Sequence, residues 1–203
     1  MPAAMANILI AYATRRGQTE KIARRLADGL RSRGHAPELV NADPGNGFSE
    51  SERIGAVLVC APIIAGGYPR SVVRFVKAHR ALLERVPSAF VSVALAIASR
   101  TTDGRADTLR VVEKFVKRTG WRPKRVELAA GALPYSKYNF ILRLVMRQIA
   151  AREGGDVDTS RDYEYTDWGA VDRFASEFAA EALGMPARSR SMDSPGVWRS
   201  RVS

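Results

Sequence analysis

The chain carries little chemistry for metals or for redox sulfur. It has one cysteine and two histidines in 203 residues, with no CxxC pair and no Cys/His spacing of a zinc site, so neither a disulfide framework nor a structural metal is expected. Cys60 lies inside an apolar strand pattern, where a buried structural thiol is the expected state. Long hydrophobic runs are absent too. The longest, residues 56–65, is interrupted by Pro62 and falls well short of the roughly 20 residues that cross a bilayer. Met1-Pro2-Ala3-Ala4-Met5-Ala6 lacks the basic start of a signal peptide, which makes a cytoplasmic protein the expectation. Neither GxGxxG nor GxxxxGK[ST] occurs, so the dinucleotide turn and the triphosphate loop are ruled out. Acidity is scarce as well, and the net charge is +11. That balance favours anionic partners in general. Without a helix-turn-helix, RNP or zinc pattern it does not indicate nucleic acid, and it runs against a soluble electron shuttle of the usual acidic kind.

What is present is an alternation of short β-branched runs with amphipathic stretches, the pattern of parallel strands joined by helices. Strands are expected at residues 7–13, 37–41, 54–61, 89–97 and 125–132, and helices at 18–33, from Pro69 onward, and at 106–119. The first helix has Ile22, Ala23, Leu26 and Leu30 on one face with Gly34 at its stop. The helix after Pro69 presents Val72, Phe75, Val76, His79 and Leu83. His79 is expected at the rim of the core, with no catalytic role. A last helix, opened by Asp167 as N-cap, should bury Val171, Phe174, Phe178 and Ala182. The fold class is therefore α/β, a doubly wound five-stranded parallel sheet of order 2-1-3-4-5 with a helical insertion after strand 5. Residues 1–183 form one domain with the insertion at 133–166, and the Ser/Arg/Pro-rich segment 184–203 is expected to be a disordered basic tail.

In this architecture ligands bind beyond the carboxyl ends of the strands, which selects three loops. The first, Thr14-Arg15-Arg16-Gly17-Gln18-Thr19, joins a buried strand to a helix, so main-chain N–H groups and two hydroxyls can cradle a phosphate while Gly17 permits close approach. Threonines at both ends around one glycine suit a monophosphate, in the manner by which flavodoxins grip FMN. The second loop contains Pro62, Ile63, Ile64, Ala65, Gly66, Gly67 and Tyr68; its glycines allow the main chain to lie against a flavin ring, and Tyr68 either stacks on that ring or packs on the following helix. The third runs from Ala94 through Leu95, Ala96, Ser99, Arg100, Thr101 and Thr102 to Arg105, with arginines either near the flavin or solvated.

Beyond these loops the chain resembles the flavodoxin-like protoporphyrinogen IX dehydrogenases, which pass electrons through FMN to a quinone. The likeness rests on the first loop, on Phe75-Val76-Lys77-Ala78-His79-Arg80, Pro87-Ser88-Ala89-Phe90 and Trp121-Arg122-Pro123, and above all on Ala130-Gly131-Ala132-Leu133, Tyr135, Tyr138, Gly154-Gly155, Asp158-Thr159-Ser160 and Tyr165-Thr166-Asp167-Trp168. Members similar to the enterobacterial enzyme differ at Ile64-Ala65, near Gly67 and Pro69, and at Ala94 and Ala98-Ser99. The resemblance implies FMN held by residues 14–19, 62–67, Leu95, Ala96 and Ser99. It also implies a tetrapyrrole substrate, a membrane quinone as acceptor, and a function in haem biosynthesis. The propionates of such a substrate suit Arg100, Arg105, Lys137 and Arg143. An electron carrier or an NAD(P)H:quinone reductase with the same flavin site is the alternative. The insertion is basic around an apolar stripe of Ile141, Leu142, Val145, Met146 and Ile149. It suits peripheral contact with an anionic surface on the inner face of the cell membrane, or else packing on the sheet or a homo-oligomer contact.

Overall fold

A computed structural model describes residues 5–43, 54–98, 103–133 and 162–182. Five parallel strands, β1 (Asn7–Tyr12), β2 (Ala36–Asn41), β3 (Ile54–Pro62), β4 (Ser88–Ala94) and β5 (Arg125–Ala130), pair in the order β2-β1-β3-β4-β5. The inner strands are buried on both faces, which is why they read as unbroken apolar runs, whereas β2 at the edge is only half-buried.

Helices cover both faces. On one lie α1 (Gln18–Arg31) and the last helix, α5 (Trp168–Ala182), which bury Ile22, Leu26, Leu30, Phe174 and Phe178 against Ile8, Ile10, Leu58 and Val91. On the other lie α2 (Arg70–Ala78), α3 (Arg80–Arg85) and α4 (Gly104–Thr119), whose Val72, Val76, Leu82, Val112 and Phe115 meet Leu9, Val57, Val59 and Phe90. Consecutive strand residues feed opposite layers because their side chains alternate across the sheet. Asp167 caps α5 as its position suggested, accepting the Ala170 N–H at 2.9 Å, while Ala182 is half-buried at the core margin.

The boundaries differ from the sequence expectations in four informative places. The first helix ends at Arg31 because the chain tightens there, with Arg33 and Gly34 N–H groups bonding to the Leu30 and Arg31 carbonyls. The helix after Pro69 is two helices, broken at His79, whose ring is half-buried and lies 4.6 Å from that of Phe75. The fourth strand stops at Ala94, opposite Ala130, the last residue of β5, and with no strand left to pair with, Leu95–Ala98 curl into a 3₁₀ turn. The fifth strand leaves the parallel sheet at Gly131. Beyond it β6 (Ala132–Leu133) pairs antiparallel with β7 (Tyr163–Glu164), forming a short ribbon at the root of the insertion. The helical part of the insertion with its apolar stripe from Ile141 to Ile149, and the tail 184–203, lie outside the described residues.

Candidate functional site

The carboxyl ends of β1, β3 and β4 deliver the three selected loops to one edge of the sheet. In the first loop Gly17 stands at φ 94°, a left-handed conformation that side chains resist. Its N–H donates to the Thr14 hydroxyl oxygen at 2.9 Å. Helix α1 starts immediately afterwards with no side-chain cap, so its first-turn N–H groups remain directed out of the helix beside the half-buried Arg16 and the exposed Arg15. That is the donor set of an anion cradle: no side chain caps it, and the first-turn carboxylate, Glu20, is paired with Arg24 at 2.7 Å.

Residues 13–15, Asp43, Ile64 and Tyr68 to Arg70 line an open cleft of about 410 Å³ beside this loop, a size that suits a ligand pocket. Ile64 of its lining belongs to a two-residue turn beside the cleft, in which Ile64 and Gly67 exchange N–H···O bonds of 2.8 and 3.1 Å around Ala65 (φ 49°) and Gly66 (φ 74°). Positive φ at both central residues is the type I′ geometry. Nothing lies within 4 Å of the Cβ positions of Gly66 and Gly67, so the main chain there is open to a flat group. Pro62 and Ile63 are half-buried, and the Ile63 N–H is fixed to the Val93 carbonyl at 2.8 Å. Leu95 and Ala96 sit half-buried in the 3₁₀ turn.

The two roles left open for Tyr68 are resolved. Its ring is buried edge-on to Phe90 and Phe115 at 5.0 and 4.9 Å, and its hydroxyl shares a 2.7 Å hydrogen bond with Ser92. Burial holds its pKa well above the usual phenol range. The ring belongs to the core beneath the cleft and is not available to stack on a ligand. Cys60 is fully buried, and burial raises its thiol pKa to about 12, so it stays an inert thiol at neutral pH.

Gln18 also has an occupation the sequence did not reveal. Its amide donates to the Glu164 carboxylate at 3.1 Å and to the Thr166 hydroxyl at 2.9 Å, and Thr166 in turn donates to the Ala130 carbonyl at 2.8 Å. Lys21 reaches the other oxygen of Glu164 at 3.1 Å. Although partial burial opposes ionisation of Glu164, the Gln18 and Lys21 hydrogen bonds outweigh it and lower its pKa. The side chain of Gln18 therefore ties the loop to the insertion's root, and Thr19 is 2% exposed in the first helical turn. Thr166→Val should remove one of the two Gln18 amide bonds and the bond to the Ala130 carbonyl, lowering stability by about 1 kcal/mol. An unchanged midpoint in urea would show that the tether carries no energy.

Arg105 is exposed on the first turn of α4. Ser99, Arg100, Lys137 and Arg143 lie outside the described residues. The residues that sequence reasoning missed are Asp43 and Arg70, which face the same cleft as Arg15. Arg70 follows Pro69 at the start of α2, immediately after the selected loop, so the rule that chose residues 62–67 could have reached it. Asp43 is anchored by Ser71, whose hydroxyl donates to its carboxylate at 2.8 Å.

Comparisons with known proteins agree with this architecture. A family described as "Flavodoxin domain" matches residues 9–160. A protein of Leishmania major named protoporphyrinogen IX dehydrogenase [quinone] is 37% identical over 188 residues, covering 90% of this chain and 79% of its own length. A protein of the same name from Escherichia coli K12 is 35% identical over 175 residues, covering 84% of this chain and 93% of its own length. Among solved structures, oxidised flavodoxin 1 from Bacillus cereus superposes with a TM-score of 0.52 at 12% identity, over 85% of this chain and 97% of that one. That last likeness concerns the fold alone.

Proposed function

Because this chain belongs to the flavodoxin-domain family of the quinone-linked protoporphyrinogen IX dehydrogenases, we propose that it binds FMN and oxidises protoporphyrinogen IX to protoporphyrin IX with a quinone as acceptor. The observation that carries this reading is the extent of the likeness: 37% identity over 90% of the chain includes the segment after β5, which an electron-carrying flavodoxin does not need.

The residues on the cleft fit an FMN group. The uncapped first turn of α1, the Thr14 hydroxyl and the left-handed Gly17 suit its phosphate, and the open main chain at Gly66 and Gly67 with Pro62, Ile63, Ala65, Leu95 and Ala96 suits the edge of a planar ring. Ser99 is assigned to the same group by its place in the third loop. FMN, when bound, supplies the two-electron chemistry. The protein's own part is to hold the phosphate, orient the ring and receive the substrate. Removing six electrons and six protons from the porphyrinogen reduces three quinones to quinols, so a shared cleft must serve donor and acceptor in turn. Arg15 and Arg70 flank that cleft and offer guanidinium groups to the substrate carboxylates, together with Arg100, Arg105, Lys137 and Arg143 as sequence-derived candidates. Residues 1–183 act as one unit with the insertion at 133–166.

A bilayer quinone requires contact with the membrane, and no helix among the described residues is long and apolar enough to cross one. We therefore assign the chain a peripheral association. The test is anaerobic oxidation of protoporphyrinogen IX by the FMN-loaded protein with a water-soluble quinone, followed as porphyrin fluorescence. Quinone-dependent fluorescence at well above the protein-free rate is expected. Absence of that signal with flavin bound, combined with rapid flavin reduction by NADPH, would assign the chain to the quinone reductases.

A further inference from the structure

The positive charge is not spread evenly over the molecule. The layer formed by α2, α3, α4 and the segment running to Lys124 (residues 70–85 and 103–124) carries twelve Lys or Arg against four carboxylates, a net +8. The opposite layer, residues 18–33 and 163–182 with α1 and α5, carries six against seven, a net −1. The chemistry of the two differs in the same sense. On the α1/α5 side five of the six cations are matched: Lys21 with Glu164, Arg24 with Glu20, Arg25 with Asp172, Arg31 with Asp28 and Arg173 with Asp167. On the α2/α4 side Arg74, Lys77, Lys114, Lys117, Arg118 and Lys124 are exposed and form no ion pair among the described residues. Helical spacing places Lys114, Lys117 and Arg118 on one stripe of α4, opposite the buried Val112 and Phe115.

From this asymmetry we propose that the α2–α3–α4 layer is a docking face for an anionic lipid surface. Charge complementarity selects the occupant. Unpaired cations spread over the outside of two helices and the segment that follows α4 meet a planar array of phosphates without needing a groove or a specific geometry. A duplex would instead call for an element suited to a groove, which no motif in the sequence supplies. The cleft lies at the margin of this face, since Arg70 both lines it and opens α2, so docking brings the loops at the strand ends to the level of the headgroups. The inference rests on the proposed quinone linkage for its biological sense and on the charge distribution for its physics. It locates the contact on the described helices and does not require the insertion.

The experiment is co-sedimentation of the FMN-loaded full chain with vesicles of phosphatidylglycerol and phosphatidylcholine, and with phosphatidylcholine alone. The anionic vesicles should bind the protein strongly at low salt and release it at high salt, and the neutral ones should not. Neutralising three cations together, Lys77→Gln, Lys114→Gln and Lys117→Gln, should lower partitioning by on the order of tenfold or more. The matched variant on the other layer, Arg24→Gln, Arg25→Gln and Arg31→Gln, should change it by about twofold at most. Retained flavin and an unchanged melting curve report that each variant is folded. Equal losses in both variants, no loss in the first, or binding to phosphatidylcholine alone would overturn the proposal. So would tighter salt-dependent binding to duplex DNA than to the anionic vesicles. Oxidation with a water-soluble quinone separates the two claims. Its failure in wild type sinks the proposed reaction and leaves the docking face standing, whereas intact activity with unchanged sedimentation in the first variant does the reverse.

Discussion

Gly17→Val is expected to weaken FMN binding by on the order of thirtyfold, the equivalent of about 2 kcal/mol, while the sheet remains folded. At φ 94° the glycine occupies a backbone region that a β-branched residue enters only under strain. Two outcomes are open to the variant. If the tertiary structure forces the loop to keep its shape, the strain appears as lost stability. If the loop relaxes, the Gly17 N–H leaves the Thr14 hydroxyl, and binding must then restore the strained shape, so the strain appears as lost affinity. The second is favoured because the loop lies at the surface, with Arg15 exposed and Arg16 and Gly17 only half-buried, and few contacts hold it against relaxation. Titration of the apoprotein with FMN, followed by quenching of flavin fluorescence, measures the constant, and urea unfolding of the apoprotein reports the fold. Gly17→Ala should fall between wild type and the valine variant. Equal affinity in all three would remove the first loop from the phosphate site. A large stability loss with unchanged affinity would instead show that the loop's conformation is imposed by the fold.

The sheet was legible because parallel strands buried on both faces leave near-continuous apolar runs, and β1, β3 and β4 stand out on that ground alone. The ends of elements were not. Nothing local in Ala94-Leu95-Ala96-Ile97-Ala98 distinguishes a strand from a 3₁₀ turn; the change at Leu95 is decided by the end of β5 on the neighbouring strand. The first loop was legible as a strand-to-helix turn containing a glycine, but the work of Gln18 was not, since its partners Glu164 and Thr166 lie 146 and 148 residues away. Tyr68 follows the same logic. Its two roles are equivalent in sequence, and only the position of Phe90, Phe115 and Ser92 beneath it decides between them. The polarity of the surface was invisible for a further reason. The cation-rich segments lie apart in sequence, as do the carboxylate-rich ones, and only the fold gathers the first into one layer and the second into the other.

Glu127 and His35 should pull stability in opposite directions across the weakly acidic range, the first lowering it as pH rises and the second as pH falls. Glu127 lies on β5, and burial raises its carboxyl from an ordinary 4.5 to about 7, against the attraction of Arg105, Arg125 and Arg173 and with the repulsion of Glu177. The Arg125 guanidinium is hydrogen-bonded to Glu177 and Glu181 and makes no hydrogen bond to Glu127, so its attraction does not offset burial. Between pH 4.5 and 7 the folded state therefore holds a proton that the unfolded chain has released, and stability falls as pH rises through that window. The histidine works in the opposite sense. His35 is 5% exposed, and burial lowers its pKa below 6.5 against the opposing pull of the Ala179 main chain. Below pH 6.5 the unfolded chain takes up a proton that the folded state resists, so stability falls as pH drops. Glu127→Gln keeps the shape and removes the titration. Its advantage over wild type should be small at pH 4.5 and reach about 2 kcal/mol at pH 8.5, less than the full shift implies because part of the group still faces water. His35→Leu should remove the loss of stability below pH 6.5 and leave the Glu127 loss between pH 4.5 and 7 in place. Urea unfolding of the three proteins across this pH range decides the matter. A constant difference between Glu127→Gln and wild type from pH 4.5 to 8.5 would show that the Glu127 carboxyl ionises normally in the folded protein.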